Sequence, residues 1–167
     1  MSTELSARQV TGGMTHQFLT FALGQEEYGV EILKIQEIRG FSQVTSLPNA
    51  PTYVKGVLNL RGTIVPIVDL RKKFHLPEVA CTQFTVIVVV QVQGKTLGFV
   101  VDAVSDVLTV PSDAIQPTPD LHGQLDTRCL AGLAPTGVQG EKLVILLNID
   151  QVLTTGEAEA ALAAASN

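Results

Sequence analysis

Tryptophan is absent from this chain, cysteine occurs twice, and only 16% of the 167 residues carry a formal charge. Each shortage excludes something. Two thiols far apart in sequence, Cys81 and Cys129, make neither a disulfide framework nor a metal-ligand pair, and they fit a reducing compartment. The longest apolar runs, Val86 to Val90 and Leu143 to Leu147, fall far short of the roughly 18 residues that span a bilayer. Residues 1–15 lack the charged-then-apolar layout of a secretory leader. The net charge is −5 and the pI about 5.1. There is no global basic field and no run of aromatics interleaved with Lys or Arg, which argues against nucleic acid and anionic lipid as partners.

Chemistry-bearing patterns are equally scarce. His16, His75 and His122 stand in unrelated contexts, and none is spaced from another ligand type as a zinc or catalytic site requires. No Gly-x-Ser-x-Gly elbow, Cys–His context, dinucleotide fingerprint or P-loop occurs. Asp102 and Asp106 are close in sequence but lack a third group, and read as ordinary surface acids. Arg71-Lys72-Lys73 reads as a solvated strand end. The expectation is a protein with no catalytic residue, no metal and no cofactor.

What is present is β structure. A charged fraction of 16%, against about 25% for a typical soluble domain, fits a large buried β core. Phe18 to Leu23 and Tyr28 to Val30 alternate as strands about a Gly24–Glu27 turn. Thr45 to Tyr53, with Pro48 and Pro51, reads as a rigid loop. Val57 to Leu60 and Ile64 to Leu70 form a hairpin about Arg61-Gly62, and Pro66 places its amide at an edge or bulge. The β-branched run Phe84 to Val92 suits a strand buried on both faces. A turn at Gln93–Lys95 leads into Thr96 to Val101. After a Pro-rich bridge over Ser112 to Gly123, Lys142 to Ile149 is the last strand. Asp150 to Ala165 favours helix.

The chain also repeats itself. Aligned so that Gly29 falls on Gly98, Tyr28-Gly29-Val30 meets Leu97-Gly98-Phe99, and Ile35, Glu37, Ile38 and Pro48 meet Val104, Asp106, Val107 and Pro117. With a drift in register, Ile67-Val68-Asp69-Leu70 meets Leu146-Leu147-Asn148-Ile149. The expected organisation is a tail over 1–15, a first β-barrel over 16–81, a second over 82–155, and a C-terminal helix end and tail over 156–167. Arg61 at its hairpin tip has two open readings: an exposed arginine of little energetic consequence, or an orienting ion pair with Glu37 at the margin of a groove.

The stretches Glu26-Glu27-Tyr28-Gly29-Val30, Ile35-Gln36-Glu37-Ile38-Arg39-Gly40 and Gly56 through Arg71, with their Asn-Leu-Arg-Gly and Pro-Ile-Val-Asp-Leu combination, resemble the CheW family of chemotaxis coupling proteins. Val100 to Leu108 and Gly132-Leu133 continue the likeness, which covers about residues 17–155. The resemblance implies an all-β fold of two SH3-like five-stranded barrels packed together, with a short C-terminal helix. It implies a non-enzymatic adaptor, cytoplasmic and recruited to membrane-associated receptor arrays. Its partners would be the cytoplasmic tips of chemoreceptors, the regulatory domain of the histidine kinase CheA, and further CheW copies. The length leaves no room for a receiver or kinase domain, which argues against CheV and CheA themselves. Carried over residue by residue, Ile35, Glu37, Gly56, Arg61, Val86, Gly98 and Val104 would lie in or beside the receptor groove. The kinase-facing surfaces would include Val44, Leu47, Leu121 and Leu133. Against this stands the reading of a small-ligand-binding barrel or an unrecognised enzyme, which would need convergent polar groups in a closed pocket.

Overall fold

The computed structural model describes residues 14–42, 44–48, 50–92, 94–117 and 129–152. Hairpin β1 (Thr15–Leu23) and β2 (Glu26–Glu31) leads through a 3-10 turn, Ile32–Lys34, into β3 (Ile35–Gly40). A second hairpin, β4 (Val54–Leu60) and β5 (Thr63–Asp69), runs into a single helical turn, α1 (Leu70–Lys73). The second half repeats this order. It consists of β6 (Val86–Val92), β7 (Lys95–Val101), β8 (Ala103–Pro111), a 3-10 turn at Ser112–Ala114, β9 (Leu130–Thr136), β10 (Lys142–Leu147) and the turn α2 (Ile149–Val152). The expected strands are all present, with shifted ends. β1 begins at Thr15, inside the expected tail, and β6 begins after an exposed Phe84. Of the expected C-terminal helix, only Ile149–Val152 falls among the described residues.

The strands form two five-stranded sheets. Sheet A has the order β8-β1-β2-β10-β9 and sheet B the order β3-β6-β7-β5-β4. The expected division into barrels over 16–81 and 82–155 does not match these sheets. β1 and β2 pair with strands of the second half, and β6 and β7 with strands of the first. The physical reason lies in the links. The 3-10 turn Ile32–Lys34 carries the chain out of sheet A, and Asp102 alone carries it back. Each half therefore lends its leading hairpin to the other half's three remaining strands.

The repeat holds at the level of single contacts. Both sheets contain a parallel pair, with Gly29 opposite Leu146 in one and Gly98 opposite Ile67 in the other. A side chain on Gly98 would place Cβ 2.7 Å from Ile67 Cδ1, and one on Gly29 would place it 3.1 Å from Leu146 Cδ2. Isolated bridges, Thr45 to Val57 and Gln116 to Leu133, join the chain beyond β3 to β4 and the chain beyond β8 to β9, which curls each sheet towards closure. Asp69 N–H donates to the Tyr53 carbonyl, and Asn148 N–H to the Cys129 carbonyl, both at 2.8 Å. Asp69 then accepts from Arg71 N–H, and Asn148 Oδ1 from Asp150 N–H, which starts both helical turns.

Three apolar clusters fill this frame. Leu60, Val65, Ile67, Ile87, Val89 and Val100 lie inside sheet B. Phe18, Val110, Ala134, Val144 and Leu146 lie inside sheet A. The largest cluster takes residues from both sheets, among them Leu19, Phe21, Tyr28, Val88, Val90, Leu97 and Phe99. Along β6, Ile87 and Val89 belong to one cluster and Val88, Val90 and Val92 to another, the period of two that a strand imposes. This is the strand buried on both faces that its β-branched run implied. Each such side chain contributes roughly 1.5–3 kcal/mol, so β6 is the keel of the molecule. Pro66 sits in an interior strand, where the ladder to β7 starts one residue later at Ile67. Its missing donor thus falls outside that ladder, rather than at the edge or bulge expected.

Candidate functional site

The β4–β5 turn places Arg61 at φ 50° and Gly62 at φ 89°. Two successive positive φ angles make the tight turn whose twist suits a two-residue hairpin, a conformation that costs a side-chain-bearing residue something. Asn59 Oδ1 accepts from Gly62 N–H at 2.8 Å and holds the turn. The result is an arginine projected from a rigid tip, 70% exposed.

Its guanidinium meets Glu37 of β3, with Nη2 2.9 Å from Oε1 and Nη1 3.4 Å from Oε2. Arg39, two residues along the same strand, reaches Glu37 Oε2 at 3.5 Å. The hydrogen bond from Arg61 is the main reason the Glu37 carboxyl lies below its ordinary value, and Arg39 adds to it. Arg61 is thus both well exposed and paired with Glu37, so the ion pair of the second reading is present. One carboxylate shared by two arginines leaves a net positive cluster at the end of sheet B.

On the opposite face of β3 from Glu37, which pairs with Val89 of the sheet B cluster, runs an apolar edge. Ile38 pairs with Val88, Val107 with Leu19, and Val104 with Phe21. Cross-strand partners share a face, and Val88, Leu19 and Phe21 all belong to the cluster between the sheets. Ile35, Val86 and Val104 pack against that cluster while still partly exposed. Ile38 and Val107, which the repeat equates, remain 44% and 45% exposed. The edge strands β3 and β8 thus each present the rim of the common core to solvent.

The sequence candidates divide accordingly. Ile35, Glu37, Arg61, Val86 and Val104 belong to this rim or its charged end. Gly98 and Gly56 do not line it: Gly98 is buried against Ile67 and Ile87, and Gly56 against the Thr45 carbonyl. Their side-chain-free space is filled by neighbours, so both are packing positions. Val44 is half-buried on the sheet B core, Leu47 is half-buried in the loop before β4, and Leu133 of β9 forms the bridge to Gln116. Leu121 lies outside the described residues. Residue reasoning missed Ile38, Val107 and Arg39. The repeat already paired Ile38 with Val107, and strand alternation would have put both on the outer rim.

It also misread Arg71 and Asp102. Arg71 Nε and Nη2 donate to the two Asp102 oxygens at 2.9 and 2.6 Å, Nη1 donates to the Pro77 carbonyl at 2.7 Å, and Gly24 N–H donates to Asp102 Oδ2 at 2.9 Å. Hydrogen bonding to Arg71 holds the Asp102 carboxyl below its usual range. Nothing local in the sequence marks a partnership between a residue after β5 and one after β7.

Among the described residues no group of three or more His, Cys, Asp or Glu is placed to hold a metal ion. No described helix is long and apolar enough to cross a membrane. The cavity nearest the hairpin tip, lined by Gln36, Leu60, Arg61, Thr63, Val65 and Thr96, is open to solvent and brings together no acid–base pair.

Paired five-stranded β sheets with an exposed common rim and a charged end define a β-barrel interaction module. A model of the CheW-like domain matches residues 17–157, and the chain belongs to that family. It is 48% identical over 141 residues to the chemotaxis protein CheW of Klebsiella aerogenes, covering 84% of this chain and 83% of that protein. It is 38% identical over 156 residues to the chemotaxis protein CheW of Rhizobium meliloti, covering 93% and 98%. The crystal structure of the scaffolding protein CheW from Thermoanaerobacter tengcongensis superposes with a TM-score of 0.78 at 28% identity, covering 86% of this chain and 96% of that one.

Proposed function

We propose that this chain is a chemotaxis coupling adaptor that joins chemoreceptor tips to the histidine kinase CheA and performs no catalysis of its own. The observation that carries the reading is the exposure of core-facing residues on the two edge strands, Ile38 of β3 and Val107 of β8, together with the Glu37–Arg61 ion pair on β3. Exposed apolar positions on a strand that also carries a charge pair suit an amphipathic receptor helix: the apolar residues take its apolar face and the charges set its direction. Kinase contact is assigned to the loop between β3 and β4, at Val44 and Leu47, and to β9, at Leu133, with Leu121 as the remaining candidate. Two separate surfaces on one rigid frame let one chain hold both partners at once. Recruitment to membrane-associated receptor arrays follows from that double attachment, with further copies as array neighbours.

The test is a reconstitution of receptor, kinase and this protein, measuring kinase autophosphorylation. The adaptor reading expects receptor-dependent control of the kinase only when this protein is present. Control of the kinase by receptor that is indifferent to this protein, with no binding to the kinase's regulatory domain at micromolar concentration, would sink it.

A further inference from the structure

The chain passes between the sheets twice among the described strands, and each passage is met by an ion pair. At the first passage, Lys34 Nζ lies 2.8 Å from Asp150 Oδ2, on the helical turn after β10. At the second, Asp102 is held by Arg71, on the helical turn after β5. The repeat places Asp150 on Arg71, so the helical turn supplies the acid at one passage and the base at the other.

They differ in strength. The Lys34 and Asp150 side chains are 38% and 31% exposed and share one contact, a single bond from a flexible ammonium to a solvated acid. The Arg71 and Asp102 side chains are 13% and 28% exposed, and the planar guanidinium fork engages both carboxylate oxygens. Around this pair, one residue of link is tied to four segments. Asp102 N–H donates to the Ala22 carbonyl at 3.0 Å, and its carboxylate accepts from Gly24 N–H. Arg71 adds the Pro77 carbonyl and, through its backbone, Asp69. Sheet A contributes the β1–β2 turn, and sheet B contributes α1 and the end of β7.

We propose that Arg71 and Asp102 are positioning residues for the adaptor: they fix the angle between the two sheets and thereby the placement of β3 and β8, the edge strands whose exposed rims the adaptor reading assigns to the receptor. Asp102 is the residue immediately before β8, so a shift there moves Val104 and Val107 relative to Ile35 and Ile38. The Lys34–Asp150 pair is not assigned this role, because it is the more solvated of the two. The function of these rims rests on the adaptor reading above, whereas the sheet-positioning role does not.

The experiment measures the spin–spin distance between nitroxides on exposed strand positions of the two sheets, Thr63→Cys in β5 and Lys142→Cys in β10, in a Cys81→Ser background. The parent should give one narrow distribution. Asp102→Asn and Arg71→Lys should broaden it about twofold or more, with Arg71→Lys the milder because it keeps the charge and loses the fork. Lys34→Ala should leave it at the parental width. The same positioning variants should lose about tenfold in affinity for a receptor helical-hairpin fragment while keeping affinity for the kinase regulatory domain. Folding is checked by circular dichroism, and if Asp102→Asn fails to fold, Arg71→Lys carries the test. Parental distances in a folded Arg71→Lys, or equal losses for both partners, would overturn the proposal. Absence of any receptor binding by the parent would instead refute the adaptor reading and leave the distance result decisive for the positioning role.

Discussion

The two sheets are built on one plan and finished differently at their ends. In sheet B the hairpin tip presents Arg61, which crosses to Glu37. In sheet A the residue equivalent to Glu37 is Asp106, whose carboxylate turns onto the next backbone N–H, at Val107, 2.7 Å away. The corresponding hairpin tip carries Val138, almost fully exposed, while Glu141 folds back to accept from Gln139 N–H. The frame is repeated, down to which carbonyl meets which amide, but the ion pair is not. The ion pair is what distinguishes the ends of the two sheets. The charged end of sheet B is therefore the stronger candidate for recognition.

The largest difference between the sheets should appear at their closing bridges. A Cβ on Gly56 would sit 2.3 Å from the Thr45 carbonyl oxygen, and one on Gly132 would sit 2.8 Å from that of Gln116. Both contacts are with backbone that cannot rotate away. Gly56→Ala should cost on the order of 3 kcal/mol and Gly132→Ala roughly 1–2 kcal/mol, as overpacking does. Urea unfolding checks the order, and equal midpoints would break the comparison.

The two sheet passages should rank next. Arg71→Ala leaves the partly buried Asp102 carboxylate without its main partner and should cost about 1–2 kcal/mol. Lys34→Ala breaks a solvated pair and should cost roughly 0–1 kcal/mol. Thermal unfolding of the two variants side by side is the measurement. A Lys34 variant as unstable as the Arg71 one would reverse the assignment.

At the functional ends, Arg61→Glu should leave stability nearly unchanged, because Arg61 is well exposed, but reduce receptor-fragment affinity by about tenfold. The exchange Glu37→Arg with Arg61→Glu should restore part of that affinity. Titration calorimetry on the two single variants and the double variant measures the coupling, and additive losses would argue against the pair.

The smallest effect is on acid stability. Asp102 has a folded pKa below its unfolded one, so the unfolded chain takes up its proton first as pH falls. The stabilisation is present in full above an unfolded value of about 4 and is lost as pH drops through the folded value. Asp102→Asn should therefore flatten the stability slope below about pH 4 and leave it unchanged near neutrality. Chemical unfolding at stepped pH reads this directly.

Much of the frame was legible because strands announce themselves locally. The β6 run shows its two buried faces in Val86 to Val92, and Arg61-Gly62 between apolar segments marks a turn. The repeat was legible because Gly29 and Gly98 both face a large aliphatic partner across a parallel pair, a constraint that holds the same residue type in both halves. The exchange of hairpins was not legible. Similarity of the halves says that β2 and β7 are equivalent, but not whether β2 lies beside β5 or β10. That choice is made by the links at Ile32–Lys34 and Asp102, whose lengths act only in three dimensions. At the site, Glu37 and Arg61 were readable because a charge beside apolar strand residues is conspicuous. That Gly56 and Gly98 are buried packing positions was not readable, because a glycine required by packing and one required by a partner look alike in one sequence. Arg71 and Asp102 were hidden inside what looked like ordinary surface charge.

The exposed residues of β3 and β8, together with Arg61, are proposed as the receptor-facing surface. Amide chemical-shift mapping on isotope-labelled protein, titrated with a receptor helical-hairpin fragment, tests that claim most directly. The predicted shifts cluster at residues 35–39, at Arg61 and Gly62, and at residues 104–107, while residues 138–143 at the opposite hairpin stay unmoved. Shifts confined to that opposite hairpin, or none at saturating fragment, would contradict the claim.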